Sequence, residues 1–368
     1  MTEPLPIFLV CNPGLESVLA EEAAAAGFAD AKPVAGGVEM TGTWPDVWRA
    51  NLELRGATRV LVRIGGFRAM HLAQLDKRSR KFTWGEVLRA DVPVSVDATC
   101  RASKIYHDKA AAQRVATAIT EELGAPVTKS APVRVMVRIE DDLVTFSVDT
   151  TGESLHKRGH KEAVGKAPMR ETLASLFLRR CGYDGTETVV DPMCGSGTFV
   201  IEAAEIALGL QPGRSRDFAF QQLASYEPAA FDALRREVHS ETDLRFFGSD
   251  RDTGAIANST ANAKRAGVDA VTQFRQSPIS DLQPPEGAPG LVILNPPYGG
   301  RIGNRKLLFA LYGSMGEVLK TRFKGWRIGI ITDDGGLAKA TGLPFLPVDP
   351  PIDHGGLKVK LYRTGPLR

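Results

Sequence analysis

The sequence predicts an α/β protein: a C-terminal, doubly wound parallel sheet preceded by an N-terminal α+β region. Two observations support this fold class. From Thr188 onward, apolar strand patterns alternate with helical patterns, as they do in doubly wound sheets. The chain has 368 residues, which is more than one compact core usually holds, so we expect two or three domains.

The first 66 residues predict a small α/β module of ferredoxin-like character. Short apolar runs predict strands and 3.6-residue spacing predicts helices between them. The predicted strands are residues 7–10, 37–40 and 60–64, and the predicted helices are residues 15–26 and 44–54.

Residues 67–150 predict a second α+β module. A strand is predicted at residues 92–99, followed by a long helix whose apolar stripe includes Ile105, Val115, Ile119 and Leu123. Two further strands, residues 133–139 and 143–148, then form a predicted hairpin across the acidic turn at residues 140–142.

The remaining chain divides into a linker and a large domain. Residues 151–167 are rich in Gly, Lys, Arg and His and lack a clear period, which is typical of a connector. The domain of residues 168–368 should open with a helix that starts after Pro168.

Charge is unevenly distributed along the chain. Residues 1–54 carry two basic and eight acidic side chains, whereas residues 55–114 carry thirteen basic and five acidic ones. Lys and Arg displace counterions from nucleic acid, so the second block is a candidate phosphate-binding face. A solvated surface explains the same charge equally well.

Composition also excludes several classes of protein. No apolar run approaches the ~20 residues that span a bilayer, and the first residues do not resemble a signal peptide. The four cysteines form no C-x-x-C pair, which indicates free thiols and no metal site. We therefore expect a cytoplasmic protein that uses neither metal nor membrane.

The first motif, at residues 189–198, reads as a strand, a tight glycine turn and a helix start. Gly195 and Gly197 would let the backbone approach a ligand closely. A bare turn between strand and helix is the alternative, since the segment fits neither the dinucleotide nor the phosphate-loop pattern.

The second motif is Asp250, which ends the next apolar strand. A carboxylate at this point offers paired acceptors for the two hydroxyls of a ribose. Asp250 could equally be a loop residue before a helix that Asp252 or Thr253 caps.

The third motif is the apolar strand of residues 291–294, which ends in Asn295, Pro296, Pro297 and Tyr298. The prolines fix a rigid loop in which the Asn oxygen and a neighbouring carbonyl can both accept hydrogen bonds. Such a pair could hold both hydrogens of an –NH2 group, and Tyr298 could stack on a base. A simple turn is the alternative, although this tetrapeptide is far more specific than a turn requires.

Together the three motifs resemble the class I methyltransferases that use S-adenosylmethionine (SAM) to methylate exocyclic or amide nitrogen. The resemblance implies a Rossmann-like domain, SAM as cofactor and a substrate grip at residues 295–298. The implied cofactor contacts are Asp191, Met193, Gly195, Ser196, Gly197, Thr198, Asp250, Arg251 and Asp281.

The N-terminal half resembles a THUMP RNA-binding domain. Its hairpin leads into the pattern formed by Asp149, Gly152, Leu155, Arg158 and Gly159, and residues 99–115 are similar to the THUMP helix region. The insert of residues 209–238 is similar to one in bacterial enzymes that methylate guanine N2 of large-subunit rRNA. The implied RNA contacts are Lys104, His107, Lys109, Lys157 and Arg158.

The resemblance implies N2-methylation of a guanosine in RNA, with 23S rRNA as substrate. Transfer RNA is the first alternative, and DNA adenine or protein glutamine is a weaker one. Bifunctional members of the family continue into a second methyltransferase domain, whereas this sequence ends at Arg368, so we expect only the guanine-N2 activity. Pro278 stands where the family usually places an Asp that binds adenine, which leaves Asp281 or a backbone carbonyl for that contact.

Overall fold

The computed structural model describes residues 4–162, 169–236, 241–299 and 305–368. Their contacts define two compact units. The first unit is drawn from Met1–Cys11, Leu19–Leu155 and Arg216–Arg236, and the second from Asn12–Val18, His156–Ser215 and Glu237–Arg368. Of the predicted linker, residues 163–167 lie outside the described residues, as does Pro168.

The elements up to residue 149 are mixed in type and follow the predicted order. They are β1 (Leu5–Val10), α1 (Glu16–Ala25), β2 (Lys32–Val34), β3 (Gly37–Gly42), α2 (Trp44–Glu53), β4 (Arg59–Arg68), α3 (Leu72–Ser79), β5 (Val94–Arg101), α4 (Asp108–Leu123), β6 (Val133–Glu140) and β7 (Leu143–Asp149). The described strands form one sheet in the order β2-β3-β1-β4-β7-β6-β5. The sequence patterns missed β2 and α3, which are short, and Ile105 lies before α4 rather than within it.

Strand β4 joins the two predicted N-terminal modules. Its first residues pair with β1 and its whole length from Leu61 pairs with β7. The register shifts between Arg63 and Gly65, where a bulge bends the strand. The predicted boundary between residues 66 and 67 therefore falls inside a strand, and the four-part domain division stays a proposal.

The acidic turn between β6 and β7 forms as its sequence predicts. Asp141 and Asp142 both have positive φ, at 49° and 61°. Two consecutive left-handed residues match the twist of the flanking strands, and Asp tolerates this conformation better than most residues do.

The segment Arg216–Arg236 belongs to the first unit, although it lies in the middle of the predicted C-terminal domain. Phe220 is fully buried, and its ring centroid lies 6.2 Å from that of Trp48 on α2. The backbone amide of Phe220 also donates to the carbonyl of Thr150 at 2.9 Å. Aromatic burial thus attaches this segment to the N-terminal core.

The elements after residue 149 belong to the second unit, except for α7. They are α5 (Glu171–Arg180), β8 (Val189–Asp191), α6 (Thr198–Ala207), α7 (Pro228–Asp232, which belongs to the first unit), β9 (Phe246–Asp250), α8 (Thr253–Ala266), β10 (Thr272–Gln276), β11 (Leu291–Leu294), α9 (Arg305–Arg322), β12 (Arg327–Thr332), α10 (Gly335–Ala340), β13 (Ile352–His354) and β14 (Leu357–Arg363).

The second sheet has the order β10-β9-β8-β11-β12-β14-β13. Strands β10, β9, β8, β11 and β12 are mutually parallel, and β14 is antiparallel to its neighbours. All four residues of β11 are buried, as expected of a strand covered on both faces. The predicted parallel, Rossmann-like sheet is confirmed.

Arg158 is buried in the second unit, with 2% of its surface exposed. Its Nε lies 3.1 Å from Oε1 of Glu202, which is also buried. A side chain held in this way cannot reach a phosphate at the surface. The prediction that Arg158 contacts RNA is therefore wrong, because an ion pair inside the fold uses its charge.

We expect the Glu202→Leu variant to lose about 3–5 kcal/mol of unfolding free energy, because it removes a buried carboxylate that pairs with the buried charge of Arg158. The double variant Arg158→Met/Glu202→Leu should recover most of the loss. Urea unfolding of the full chain measures both. As a control, Glu317→Ala removes an exposed partner of Lys320 and should change stability by less than about 1 kcal/mol. Equal effects of Glu202→Leu and Glu317→Ala would contradict this account.

Candidate active site

Three strand ends meet at one edge of the second sheet. Strand β8 lies between β9 and β11, with Asp191 opposite Gly248 on one side and Val190 opposite Val292 on the other. Because these strands are parallel, the chain segments that follow them emerge at the same edge. The glycine turn, Asp250 and the loop that starts at Asn295 are these segments.

The glycine turn adopts a conformation that side chains oppose. Gly195 and Gly197 have φ values of +51° and +84°, and Gly197 is the N-cap of α6. A Cβ on Gly197 would lie 2.9 Å from Cβ of Ser259 and 3.2 Å from the ring of Phe274. The turn thus leaves the first amides of α6 beside an open backbone, which is how helix N-termini receive ligands.

Asp191 is buried at the end of β8, and its Oδ1 accepts a hydrogen bond from the Met193 amide at 3.0 Å. Burial, together with the nearby charge of Asp250, raises the pKa of Asp191 to about 8, against the opposing effect of the Met193 amide. Asp191 therefore holds the backbone of the turn through this hydrogen bond, and its carboxyl group is not exposed to solvent.

Asp250 is bonded to the same turn. Its Oδ2 accepts from the Gly195 amide at 3.1 Å, and its Oδ1 accepts from the Asp252 amide at 3.0 Å. A carboxylate has about four lone-pair sites, so acceptor capacity remains for ribose hydroxyls. The alternative in which Asp252 caps α8 also holds, since its Oδ1 accepts from the amides of Gly254 and Ala255.

Asn295 carries an oxygen, Oδ1, to which the described fold supplies no hydrogen-bond donor. This oxygen is also shielded from solvent. Pro296, next to it, is buried. A buried acceptor without a donor is unfavourable by about 1–3 kcal/mol, which a ligand N–H would offset. The arrangement fits a bound amino group.

Tyr298 and Tyr312 complete the loop. Tyr298 is half-buried and packs against the apolar cluster formed by β11, β12, α9 and α10. Tyr312 on α9 is buried, and its hydroxyl donates to the Pro297 carbonyl at 3.4 Å. Burial raises the pKa of Tyr312, so the hydroxyl stays neutral and can remain a donor.

Sequence reasoning missed Tyr312, Asn262 and Asp333. Asn262 is buried on α8, and its Nδ2 donates to the Ser196 carbonyl at 3.0 Å, which supports the glycine turn. Asp333 follows β12 and lies beside Gly299. A polar residue on the apolar stripe of a helix was the available signal for Tyr312 and Asn262. Nothing in the sequence singled out Asp333.

Two predicted cofactor contacts lie on the surface. Arg251 is exposed, and its carbonyl accepts from Nε2 of Gln276 at 3.0 Å. Asp281 is exposed in a short turn after β10, where its Oδ1 accepts from the Ser280 hydroxyl at 3.1 Å. Neither side chain is held by the glycine turn, so both contacts stay predictions.

All four cysteines are free thiols, as the sequence predicts. Cys194 lies within the glycine turn and is buried. Burial and the charges of Asp191 and Asp250 raise its pKa, which keeps it protonated and unreactive.

Comparison with protein-family models gives two matches. Residues 158–344 match the family described as the RMKL-like methyltransferase domain, and residues 6–61 match the RlmL ferredoxin-like domain. The chain belongs to the RMKL-like methyltransferase family. The matched range contains the glycine turn, Asp250 and the loop at Asn295, and the predicted ferredoxin-like character of the N-terminus is confirmed.

Two relatives of different lengths are similar to the chain. A ribosomal RNA large subunit methyltransferase K/L of Syntrophotalea carbinolica is 35% identical over 93% of this chain and 51% of its own length. The chain thus spans about half the length of such relatives. A Synechocystis protein named as a candidate RNA methyltransferase, slr0064, is 30% identical over 97% of this chain and 96% of its own length.

One solved structure is similar over its full length. SMU.472, described as a candidate methyltransferase complexed with S-adenosylhomocysteine (SAH), superposes with a TM-score of 0.90 at 27% identity and covers 100% of both chains. The similarity of fold thus covers the full length of the chain, beyond the ranges that the family models match.

No set of three or more His, Cys, Asp or Glu side chains in the described residues is arranged to hold a metal ion. None of the helices that the structure describes combines the length and apolar character that crossing a membrane requires.

We expect Gly197→Ala to weaken binding of SAH by at least about tenfold, because the added methyl group collides with Ser259 and the backbone is left-handed. Isothermal titration calorimetry measures the affinity. Gly267→Ala is the matched control: Gly267 is also left-handed, at the end of α8, but a Cβ there meets no atom within 4 Å. The control should lose stability while its SAH affinity stays within about twofold. Similar affinity losses in the two variants would contradict a role for the turn in cofactor binding.

Proposed function

We propose that this protein transfers a methyl group from SAM to the exocyclic N2 of a guanosine in RNA, with large-subunit rRNA as substrate. The observation that carries the proposal is Oδ1 of Asn295, which has no hydrogen-bond partner in the described part of the chain and lies at the sheet edge next to the glycine turn. The names of the relatives support an RNA substrate.

The residues after β11 fit the demands of amine methylation. The lone pair of a base amino group is delocalised into the ring, so the nitrogen is a poor nucleophile. Asn295 Oδ1 and the Pro296 carbonyl would each accept one N–H, which favours a tetrahedral nitrogen and directs its lone pair away from the ring. Both acceptors also stabilise the positive charge that develops on nitrogen before a proton leaves.

Tyr298 would hold the base in place. It is half-buried against an apolar cluster, which fixes its ring while leaving part of it accessible. Stacking of a base on such a ring contributes about 1–3 kcal/mol. A base inside a helix would have to leave its stack to reach the ring, as in other enzymes that modify bases.

The cofactor fits the turn between β8 and α6. SAM supplies a methyl group that its sulfonium already activates, so the protein needs to position rather than to activate it. The turn at residues 195–198 would receive the methionine part, and the free acceptor sites of Asp250 would receive the ribose hydroxyls. Because Pro278 stands at the usual position of the adenine-binding Asp, Asp281 or a backbone carbonyl stays the predicted adenine contact.

Three of the proposed RNA contacts, Lys104, His107 and Lys109, lie in the first unit, on and before α4. Lys104 and Lys109 are exposed, and Tyr106 between them has 84% of its surface accessible. His107 is the N-cap of α4, since its side chain accepts from the Ala110 amide at 3.3 Å. Exposed lysines beside an aromatic ring suit a nucleic-acid backbone and a base. Lys157 is also exposed and stays in the proposal, as do the THUMP assignment and a cytoplasmic location.

The function is tested by incubating the protein with labelled SAM and unmodified 23S rRNA, tRNA or duplex DNA, followed by nucleoside analysis. We expect N2-methylguanosine in the rRNA. Label found as N6-methyladenosine, or only in tRNA or DNA, would contradict the proposed substrate.

We expect Asn295→Ala to lower kcat by roughly 100–1,000-fold, because one of two preorganised hydrogen bonds to the reacting group is lost. Affinity for SAH should stay unchanged, which calorimetry checks. Asn295→Asp keeps an acceptor oxygen and should retain more activity than the alanine variant. An alanine variant with wild-type turnover would exclude Asn295 from catalysis.

We expect Lys104→Glu/Lys109→Glu to weaken rRNA binding and to reduce the slope of log affinity against log salt by about one for each lost phosphate contact. Filter binding at several salt concentrations measures both quantities. The control Lys32→Glu/Lys129→Glu changes two exposed lysines of the same unit that lie outside the basic block. Identical salt slopes in the two double variants would place the RNA contacts elsewhere.

A further inference from the structure

Asp333 lies at the same sheet edge as the proposed substrate grip. Strands β11 and β12 are parallel neighbours, with Leu294 opposite Ile330. Pro297 and Asp333 each come three residues after these partners, so the two segments leave the sheet side by side. A Cβ built on Gly299 would lie 3.3 Å from Oδ2 of Asp333, which brings this carboxylate against the end of the loop.

One oxygen of this carboxylate has no use in the described part of the fold. Oδ1 of Asp333 is shielded from solvent and has no hydrogen-bond partner among the described residues. Asp334 is different, although it is adjacent. It is the N-cap of α10, accepts from the Gly336 amide at 2.7 Å, and pairs with Arg305 at 3.2 Å. A shielded carboxylate oxygen that has no donor among the described residues points to a ligand that supplies one.

The surroundings of Asp333 favour such a donor. Burial, together with the charge of Asp334, raises the pKa of Asp333 despite the opposing effect of a backbone hydrogen bond. An N–H group placed against this carboxylate would stabilise its charged form. The Tyr312 hydroxyl donates to the carbonyl of Pro297, in the segment that leaves the sheet beside Asp333.

We propose that Asp333 accepts a hydrogen bond from N1–H of the target guanine while Asn295 and Pro296 hold its N2, and that this contact selects guanine over adenine. The inference rests on the proposed function and deepens it, since it assigns base specificity to a residue outside the Asn-Pro-Pro-Tyr loop.

The chemistry of the two purines gives the selection. In guanine the amino group at C2 is flanked by N1–H, a donor. In adenine the amino group at C6 is flanked by N1 without a hydrogen, an acceptor. When Asn295 and Pro296 hold the amino group of either purine, its ring atom N1 faces the same protein group, Asp333. A carboxylate there bonds guanine and repels the lone pair of adenine, and a site built for a donor strongly rejects a substrate without one.

The variant Asp333→Asn tests the contact, because its amide can donate to adenine N1 as well as accept from guanine. The substrates are a 23S rRNA transcript and the same transcript with the methylated guanine, once mapped, replaced by adenine. We expect kcat/KM for the guanine transcript to fall about 10–100-fold. We also expect N6-methyladenosine on the adenine transcript to rise at least about tenfold above the wild-type level, because the repulsion is removed.

Two controls separate specificity from damage. Asp334→Asn keeps a side chain that can cap α10, so its ratio of guanine to adenine activity should equal that of the wild type. Affinity for SAH should be unchanged in both variants. A substantially lowered ratio in Asp333→Asn supports the assignment, whereas an unchanged ratio, with or without an equal loss on both transcripts, overturns it.

The outcome also separates this inference from the proposed function. If the wild type forms no N2-methylguanosine on any guanine-containing RNA, the proposed function fails and the inference fails with it. If the wild type forms it and Asp333→Asn keeps the wild-type ratio, only the role of Asp333 fails.

Discussion

The reversal of strand order at β8 is the constraint on which the site depends. The chain builds β8, β9 and β10 toward one side of the sheet and then returns to place β11 and β12 on the other side. Connections on either side diverge, so a crevice opens above β8 and β11. The glycine turn borders the crevice on one side and the Asn295 loop borders it on the other. A cofactor and an amine bound there would face each other across the crevice.

Buried polar groups make this edge rigid. Asp191, Asp250 and Asn262 each bond the backbone around the glycine turn, and Tyr312 bonds the carbonyl of Pro297. These contacts satisfy donors and acceptors that would otherwise be unpaired inside the sheet edge. Among the described residues of this edge, Oδ1 of Asn295, Oδ1 of Asp333 and the Ser249 hydroxyl lack a hydrogen-bond partner, and the first two lie at the loop that the substrate would enter. Satisfied groups thus shape the site, and unsatisfied ones mark where a ligand completes it.

Much of the THUMP-like pattern has a structural role. Asp149 pairs with Arg59, which also donates to the Gly152 carbonyl, while Leu155 and Arg158 are buried. At Gly159, φ is +101° and a Cβ would lie 2.7 Å from the Ser215 carbonyl oxygen, so only glycine fits. The motif predicts an RNA contact for Arg158, but this side chain forms an ion pair with Glu202 inside the fold. Lys104 and Lys109, which lie outside that pattern, are exposed.

The sequence by itself determined most of the strands and helices before residue 150, the parallel sheet and the three motif loops, because periodicity, glycine and proline act locally. It could not determine that one sheet runs through both N-terminal modules, or that Arg216–Arg236 packs on the first unit, because strand pairing and aromatic burial join distant residues. Burial likewise decided that Arg158 is an internal cation and that Oδ1 of Asp333 has no partner among the residues described. Sequence shows which groups carry charge, and only the tertiary structure decides which charges are compensated and which are left for a ligand.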